Sequence, residues 1–176
     1  MKRTEIIISG LGGQGVILAG QILGKAAVYD GKNAVQTQSY GAEARGSAAK
    51  SEIIISNGKT GFPAVRKCDV LVAMSQEAVD QYSKDLKADD LLIVDSTATK
   101  KIPNTKATVV QIPATETAER VFGSNMYANI LILGALTRVT AIVTPEAARK
   151  AIEDTVSRKY VSINLQAYEK GRELVQ

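Results

Sequence analysis

A β-branched run at residues 5–9 gives way to Gly10-Leu11-Gly12-Gly13-Gln14-Gly15 and then directly to an apolar stretch of helical period at residues 16–28. A strand and a helix joined this tightly must pack face to face, and glycines in the join let the two backbones approach. Within the helix Val16, Leu18, Ala19, Ile22, Leu23 and Ala26 recur at helical spacing, and Gly31 stands where a left-handed glycine closes a helix. The chain therefore opens as the first strand–turn–helix unit of an α/β domain.

The alternation continues to the end. Strands are predicted over residues 33–38, 51–56 (with Asn57-Gly58 turning behind it), 70–74, 91–94 and 108–112, where Pro113 stops the pairing. Helices are predicted from Ser75 as N-cap through Tyr82, from Thr115 or Thr117 to Phe122, and over residues 126–141 and 161–174. Thr144-Pro145-Glu146 opens one more, as N-cap, N1 proline and acidic first turn. No repeat, linker or low-complexity segment interrupts residues 1–176. The predicted fold is a single three-layer, Rossmann-like α/β domain with a mostly parallel sheet.

Composition narrows the chemistry. Of 176 residues 45% are hydrophobic and 23% charged, enough to bury a core without staples. A single cysteine, Cys68, rules out an internal disulfide and a Cys-ligated iron–sulfur cluster, and the lack of histidine removes the commonest general base. Cys68 precedes a buried strand with no base beside it and reads as an inert thiol. The net charge of +4 is spread without a basic run, so neither nucleic acid nor a membrane surface is expected as a partner. The opening residues lack a cleavage-site pattern and no apolar segment is long enough to span a bilayer, so a cytoplasmic protein is expected.

Gly10, Gly12 and Gly15 match G-x-G-x-x-G, between a strand and a helix as a phosphate-binding turn requires. A dinucleotide site also wants an acid at the end of the second strand, where Gln36-Thr37-Gln38-Ser39 offers none. A P-loop wants lysine after the last glycine, where Val16 stands. An anion site, in which the amides of Gly12, Gly13, Gln14 and Gly15 form a nest, fits better than NAD. A turn that merely lets strand and helix pack closely stays open as the alternative. A second constellation, Gln38-Ser39-Tyr40-Gly41-Ala42-Glu43-Ala44-Arg45-Gly46-Ser47, follows the second strand at the edge where open α/β sheets bind ligands. Tyr40 can stack on a planar group, Arg45 can clamp a carboxylate or phosphate, Glu43 can hold Arg45, and Gly46 supplies freedom; a solvated loop is the plain alternative.

The two motifs together resemble the gamma subunit, or gamma domain, of the 2-oxoacid:ferredoxin oxidoreductases, whose substrates include pyruvate, 2-oxoglutarate, 2-oxoisovalerate and indolepyruvate. The resemblance continues through Asp69-Val70-Leu71-Val72-Ala73-Met74, Leu92-Ile93-Val94-Asp95-Ser96 and Leu133-Gly134-Ala135, and so covers nearly the whole chain. It departs at Ser47, where many relatives place a second glycine. The resemblance implies an enzyme that converts a 2-oxoacid and coenzyme A to acyl-CoA and carbon dioxide, passing two electrons to ferredoxin. It implies thiamine diphosphate, Mg and [4Fe-4S] clusters in alpha, beta and delta partner subunits, coenzyme A as co-substrate, and an anaerobic setting. On this chain it places no catalytic residue and no cofactor of its own. Its share is assembly surface and phosphate recognition by Gly10, Gly12, Gly13, Gln14, Gly15, Tyr40, Glu43, Arg45 and Gly46. A short separate gamma chain with this loop most resembles the 2-oxoglutarate branch, with pyruvate and branched-chain 2-oxoacids as the open alternatives.

Other expectations follow. The isolated chain is expected to be inactive and able to form a homodimer. Asn129, polar in an apolar helix, is expected to bond to the glycine loop; Asp95-Ser96-Thr97 to cap or turn; Met126 and Tyr127 to touch another subunit; and Lys100-Lys101 to be solvated. The alternatives are a free-standing nucleotide- or coenzyme-A-binding protein and, behind it, an NAD(P)-dependent enzyme.

Overall fold

The computed structural model describes residues 2–41 and 47–176. Six strands form one sheet in the order β2-β3-β1-β4-β5-β6: β1 (Arg3–Leu11), β2 (Asn33–Tyr40), β3 (Ala48–Ser56), β4 (Val70–Ala73), β5 (Leu91–Asp95) and β6 (Thr108–Ile112). β1, β4, β5 and β6 are mutually parallel, while β3 runs antiparallel to both β1 and β2. The sheet is thus mostly parallel, but the reversed β3 lies between the first two strands, where a Rossmann unit would pair them directly. β1, β2 and β3 also extend beyond their apolar cores. Pairs such as Leu11↔Ala48 and Ser39↔Lys50 carry the ladder past the buried stretch, since hydrogen bonding continues where burial stops.

The two faces are unequally covered. One carries α1 (Val16–Tyr29), α3 (Ala114–Phe122), α4 (Ala128–Thr140), α5 (Pro145–Thr155) and α6 (Val161–Glu173), packed around Ile6, Ile8, Ile53, Val72 and Ile93. The other carries α2 (Gln76–Tyr82) on Ile7, Leu71, Leu92 and Val94. α4 is apolar all round because it lies between the sheet and α6; every residue from Ala128 to Thr137 is buried. Residues 125–127 form a separate 3-10 turn capped by Ser124 Oγ, so α4 starts two residues later than its apolar pattern suggests. α3 begins at Ala114, one residue ahead of the earliest predicted start, with Pro113 at its N-cap. The predicted caps at Ser75 and Thr144 accept the amides of Ala78 and Ala147 at 3.2 Å, and Gly31 takes φ 74° behind α1.

Charge closes the sheet edge remote from the glycine loop. Burial by itself would push the Glu5 carboxyl up, but bonds from the Lys67 and Arg66 amides and from Arg3 hold it below its ordinary value. Nearby, Ala141 ends α4 at φ 48°, the one non-glycine with positive φ among the described residues. The left-handed region costs an L-residue about 1 kcal/mol, so Ala141→Gly is expected to raise the melting temperature by about 3 °C, read by calorimetry.

Candidate functional site

β1, β4 and β5 end side by side, and the turns behind them border a cleft of about 210 Å³. Gly13, Gln14, Met74, Thr97, Ala98, Thr115, Asn125 and Ala128 line it, and none of these carries a charge. Two side chains hold the glycine turn in shape. Gln14 accepts the Leu11 amide on Oε1 at 2.6 Å and donates from Nε2 to the Met74 carbonyl at 2.9 Å, tying the end of β1 to the end of β4. Asn129, only 2% exposed, donates to the Gly15 carbonyl at 3.1 Å and accepts the Ile130 amide at 2.9 Å. That contact requires Gly15: its φ is 73°, and a Cβ there would stand 2.2 Å from Asn129 Nδ2. The bond expected of Asn129 is therefore formed.

The four-amide nest is only half available. Gly12 N–H donates to the Ser47 carbonyl at 2.7 Å and Gln14 N–H to the Leu11 carbonyl at 3.2 Å. The Gly13 and Gly15 amides have no acceptor among the described residues. Both glycines have positive φ, 90° and 73°, and α1 begins behind them with no capping side chain and no acid in its first turn. α3 makes the contrast. Its Thr115 amide and hydroxyl both donate to Asp95, whose fully buried carboxylate closes that helix N-terminus. Of these two helices that begin at the cleft, α1 is the one left open to an anion.

The second constellation divides. Glu43, Arg45 and Gly46 lie outside the described residues. The Ser47 carbonyl beyond them accepts from the glycine turn, and Gly41 N–H donates to the Ala48 carbonyl at 2.7 Å, so the two motifs are joined at their bases. Tyr40 is 64% exposed at the end of β2, two strands across from Gly10, and is not among the residues lining the cleft. Asp95 caps and turns as expected, also accepting the Thr97 amide at 3.1 Å. Met126 is 57% exposed and available to another chain, but Tyr127 is buried, its ring 6.0 Å from that of Phe122 in an edge-on stack; its expected role as a contact is corrected. Lys100 and Lys101 are exposed, and both their amides donate to Gln76 Oε1 at 3.0 Å. Thr97, Thr115 and Asn125 join the cleft with little warning in the sequence, because they reach it from the ends of elements far apart along the chain.

Among the described residues no group of three or more His, Cys, Asp or Glu is placed to hold a metal ion, and no helix is long and apolar enough to cross a membrane. Burial pushes the Cys68 thiol up to about 12. At pH 8 roughly one thiol in ten thousand is then ionised, so iodoacetamide is expected to modify the folded protein about a thousandfold more slowly than the unfolded chain.

Comparison with known proteins agrees with the fold. Residues 5–174 match the family model described as pyruvate ferredoxin/flavodoxin oxidoreductase. The chain is 49% identical to the 2-oxoglutarate synthase subunit KorC of Methanocaldococcus jannaschii, over 99% of this chain and 95% of that one. It is 33% identical to the ketoisovalerate oxidoreductase subunit VorA of Methanothermobacter thermautotrophicus, over 97% of this chain but only 36% of that longer one. The keto/oxoacid ferredoxin oxidoreductase gamma subunit of Geobacter sulfurreducens superposes with a TM-score of 0.86 at 46% identity, over 97% of this chain and 96% of that one. The family model over residues 5–174, the 49% identity over nearly the whole of both chains and the superposition on a gamma subunit place this chain in the pyruvate ferredoxin/flavodoxin oxidoreductase family, as its gamma-type subunit.

Proposed function

We propose that the chain is the gamma subunit of a 2-oxoglutarate:ferredoxin oxidoreductase, and that its glycine turn receives a phosphate of coenzyme A. The observation that carries the second part is the N-terminus of α1, where the Gly13 and Gly15 amides have no acceptor among the described residues beside a cleft whose described lining is uncharged. Two amides and a helix dipole favour a phosphate without a countercharge, and an uncharged wall takes the neutral part of a ligand. Arg45 then clamps the anion from the neighbouring loop, with Glu43 holding it, and Tyr40 lies on the side facing a partner chain. NAD is disfavoured because β3 separates β1 from β2, moving the second strand's end about 10 Å from the glycine turn, and no acid stands there. The [4Fe-4S] clusters fall to partner subunits, since one cysteine cannot supply the thiolates a cluster needs, and thiamine diphosphate and Mg are assigned with them to the alpha, beta and delta subunits. The relatives favour 2-oxoglutarate: four named 2-oxoglutarate synthase subunits are 36–49% identical, against 33% for the ketoisovalerate subunit above.

The test begins by recovering the complex through this chain and assaying it with several 2-oxoacids. Co-purification with a thiamine-diphosphate subunit and faster turnover of 2-oxoglutarate than of pyruvate are expected. A chain recovered alone would end the subunit reading, and a preference for pyruvate would end the substrate assignment. In the same complex Arg45→Ala is expected to raise the KM for coenzyme A about tenfold, the worth of one charge-assisted bond. An unchanged KM and unchanged assembly would remove Arg45 from the site.

A further inference from the structure

The sheet ends on one side at β2, and among the described residues that edge lacks the protections usual in soluble proteins. Eight residues, Asn33–Tyr40, keep unbroken register with β3, and none of them is charged or proline. Natural folds guard such an edge with lysine, proline, a bulge or brevity, because a row of unpaired amides and carbonyls recruits another strand. The opposite edge is guarded in this way: β6 has five residues and Pro113 follows it.

We propose that β2 pairs antiparallel with the β2 of a second copy of this chain, joining two six-stranded sheets across a two-fold axis. The helix layer fits the same operation. α1 lies over the seam between β2 and β3: a Cβ on Gly20 would stand 2.0 Å from Ser51 Oγ and 2.7 Å from Gln36 Nε2, and one on Gly24 would touch Ala34 at 3.9 Å. That seam is one strand spacing from a two-fold placed on the free edge, so the two α1 helices come to lie about 10 Å apart, the distance of packed helices. Gln21, Gly24 and Val28 border a groove of about 400 Å³ beside Ala34 and Gln36, and they follow one another at helical spacing. Gly24 permits close approach there, and Val28 is 56% exposed.

Charge favours a copy of the same chain. An uncharged strand is complementary to itself, and Lys25 is the sole charged residue lining the groove. A strip about 26 Å long and about 20 Å tall, one strand by one sheet and one helix layer, covers on the order of 500 Å² per copy. The pair then reaches about 1,000 Å², where specific interfaces begin. Antiparallel pairing also rotates the second copy end for end within the sheet, so the two glycine turns open at opposite ends of the joined strands and neither covers the other.

Sedimentation equilibrium of the full chain tests this. Twice the chain mass is expected as concentration rises. Thr37→Lys, on the edge strand, and Gln21→Lys, on the exposed face of α1 beside Lys25, each set like charges against each other across the axis. Each is expected to raise the dimer dissociation constant at least about tenfold, with the circular dichroism melt unchanged. A chain that stays monomeric at every concentration overturns the proposal and leaves the edge to a strand from a different subunit. A dimer that both variants leave intact overturns it equally, because the contact then lies elsewhere.

Discussion

Gly171→Ala is expected to lower the melting temperature by about 10 °C. α4 and α6 touch backbone to backbone: a Cβ on Gly171 would come 1.8 Å from the Leu131 carbonyl oxygen, and one on Gly134 would come 2.1 Å from that of Tyr168. Neither clash is with the free end of a side chain, so only separation of the helices relieves it. Separation in turn breaks the buried bond between Thr137 Oγ1 and Tyr168 OH at 2.7 Å, and loosens the helix that fills the space between sheet and α6. Overpacking of this kind costs about 3 kcal/mol, and each kcal/mol moves the midpoint of a domain this size by about 3 °C. Gly24→Ala, whose new methyl would meet Ala34 at an ordinary 3.9 Å, is the control, and its midpoint should rise slightly if it moves at all. Equal losses in the two variants would show that the α4–α6 contact does not govern stability.

Gly13→Asp is expected to raise the KM of the assembled enzyme for coenzyme A about a hundredfold, with kcat at saturation within about twofold. Gly13 has φ 90°, and no atom of the described residues lies within 4 Å of the place a Cβ would occupy, so the new carboxylate fits at the mouth of α1. It competes for the amides of Gly13 and Gly15 and repels any phosphate brought to them, an effect of about 2.7 kcal/mol for two charge-assisted bonds lost. Gly13→Ala imposes the same backbone strain without charge, and a change of only a few-fold is expected from it. If alanine and aspartate raise KM alike, the turn acts through its shape and the anion reading fails. Comparing them separates geometry from electrostatics at one position.

Much of this was legible in the chain. The helix caps at Ser75 and Thr144, the glycine behind α1 and the buried β4 and β5 were visible because each depends on residues within a few positions of one another. Asn129 could be singled out because a lone amide in an apolar helix must find a partner, and the Gly15 carbonyl is that partner. Element ends were less legible: β1 and β3 run on as far as Leu11 and Ala48 because each supplies the other's hydrogen bonds, which no local pattern records. The cleft was legible by half. Gly13 and Gln14 announce it, whereas Thr97, Thr115 and Asn125 are ordinary residues until three separate turns meet.

By itself the sequence determined the α/β class, the glycine turn between the first strand and its helix, and the family, since these rest on local spacing and residue type. The tertiary structure decided where β3 inserts, and with it that β2 is a bare edge and that Tyr40 stands apart from the cleft. It also decided which amides of the glycine turn are taken: Gly12 donates to the Ser47 carbonyl brought in by folding and Gln14 to the Leu11 carbonyl of its own turn, while Gly13 and Gly15 have no acceptor among the described residues. Strand order and hydrogen-bond partnership are set by burial summed over the whole sheet, and a sum over distant residues leaves no mark in any one stretch of chain.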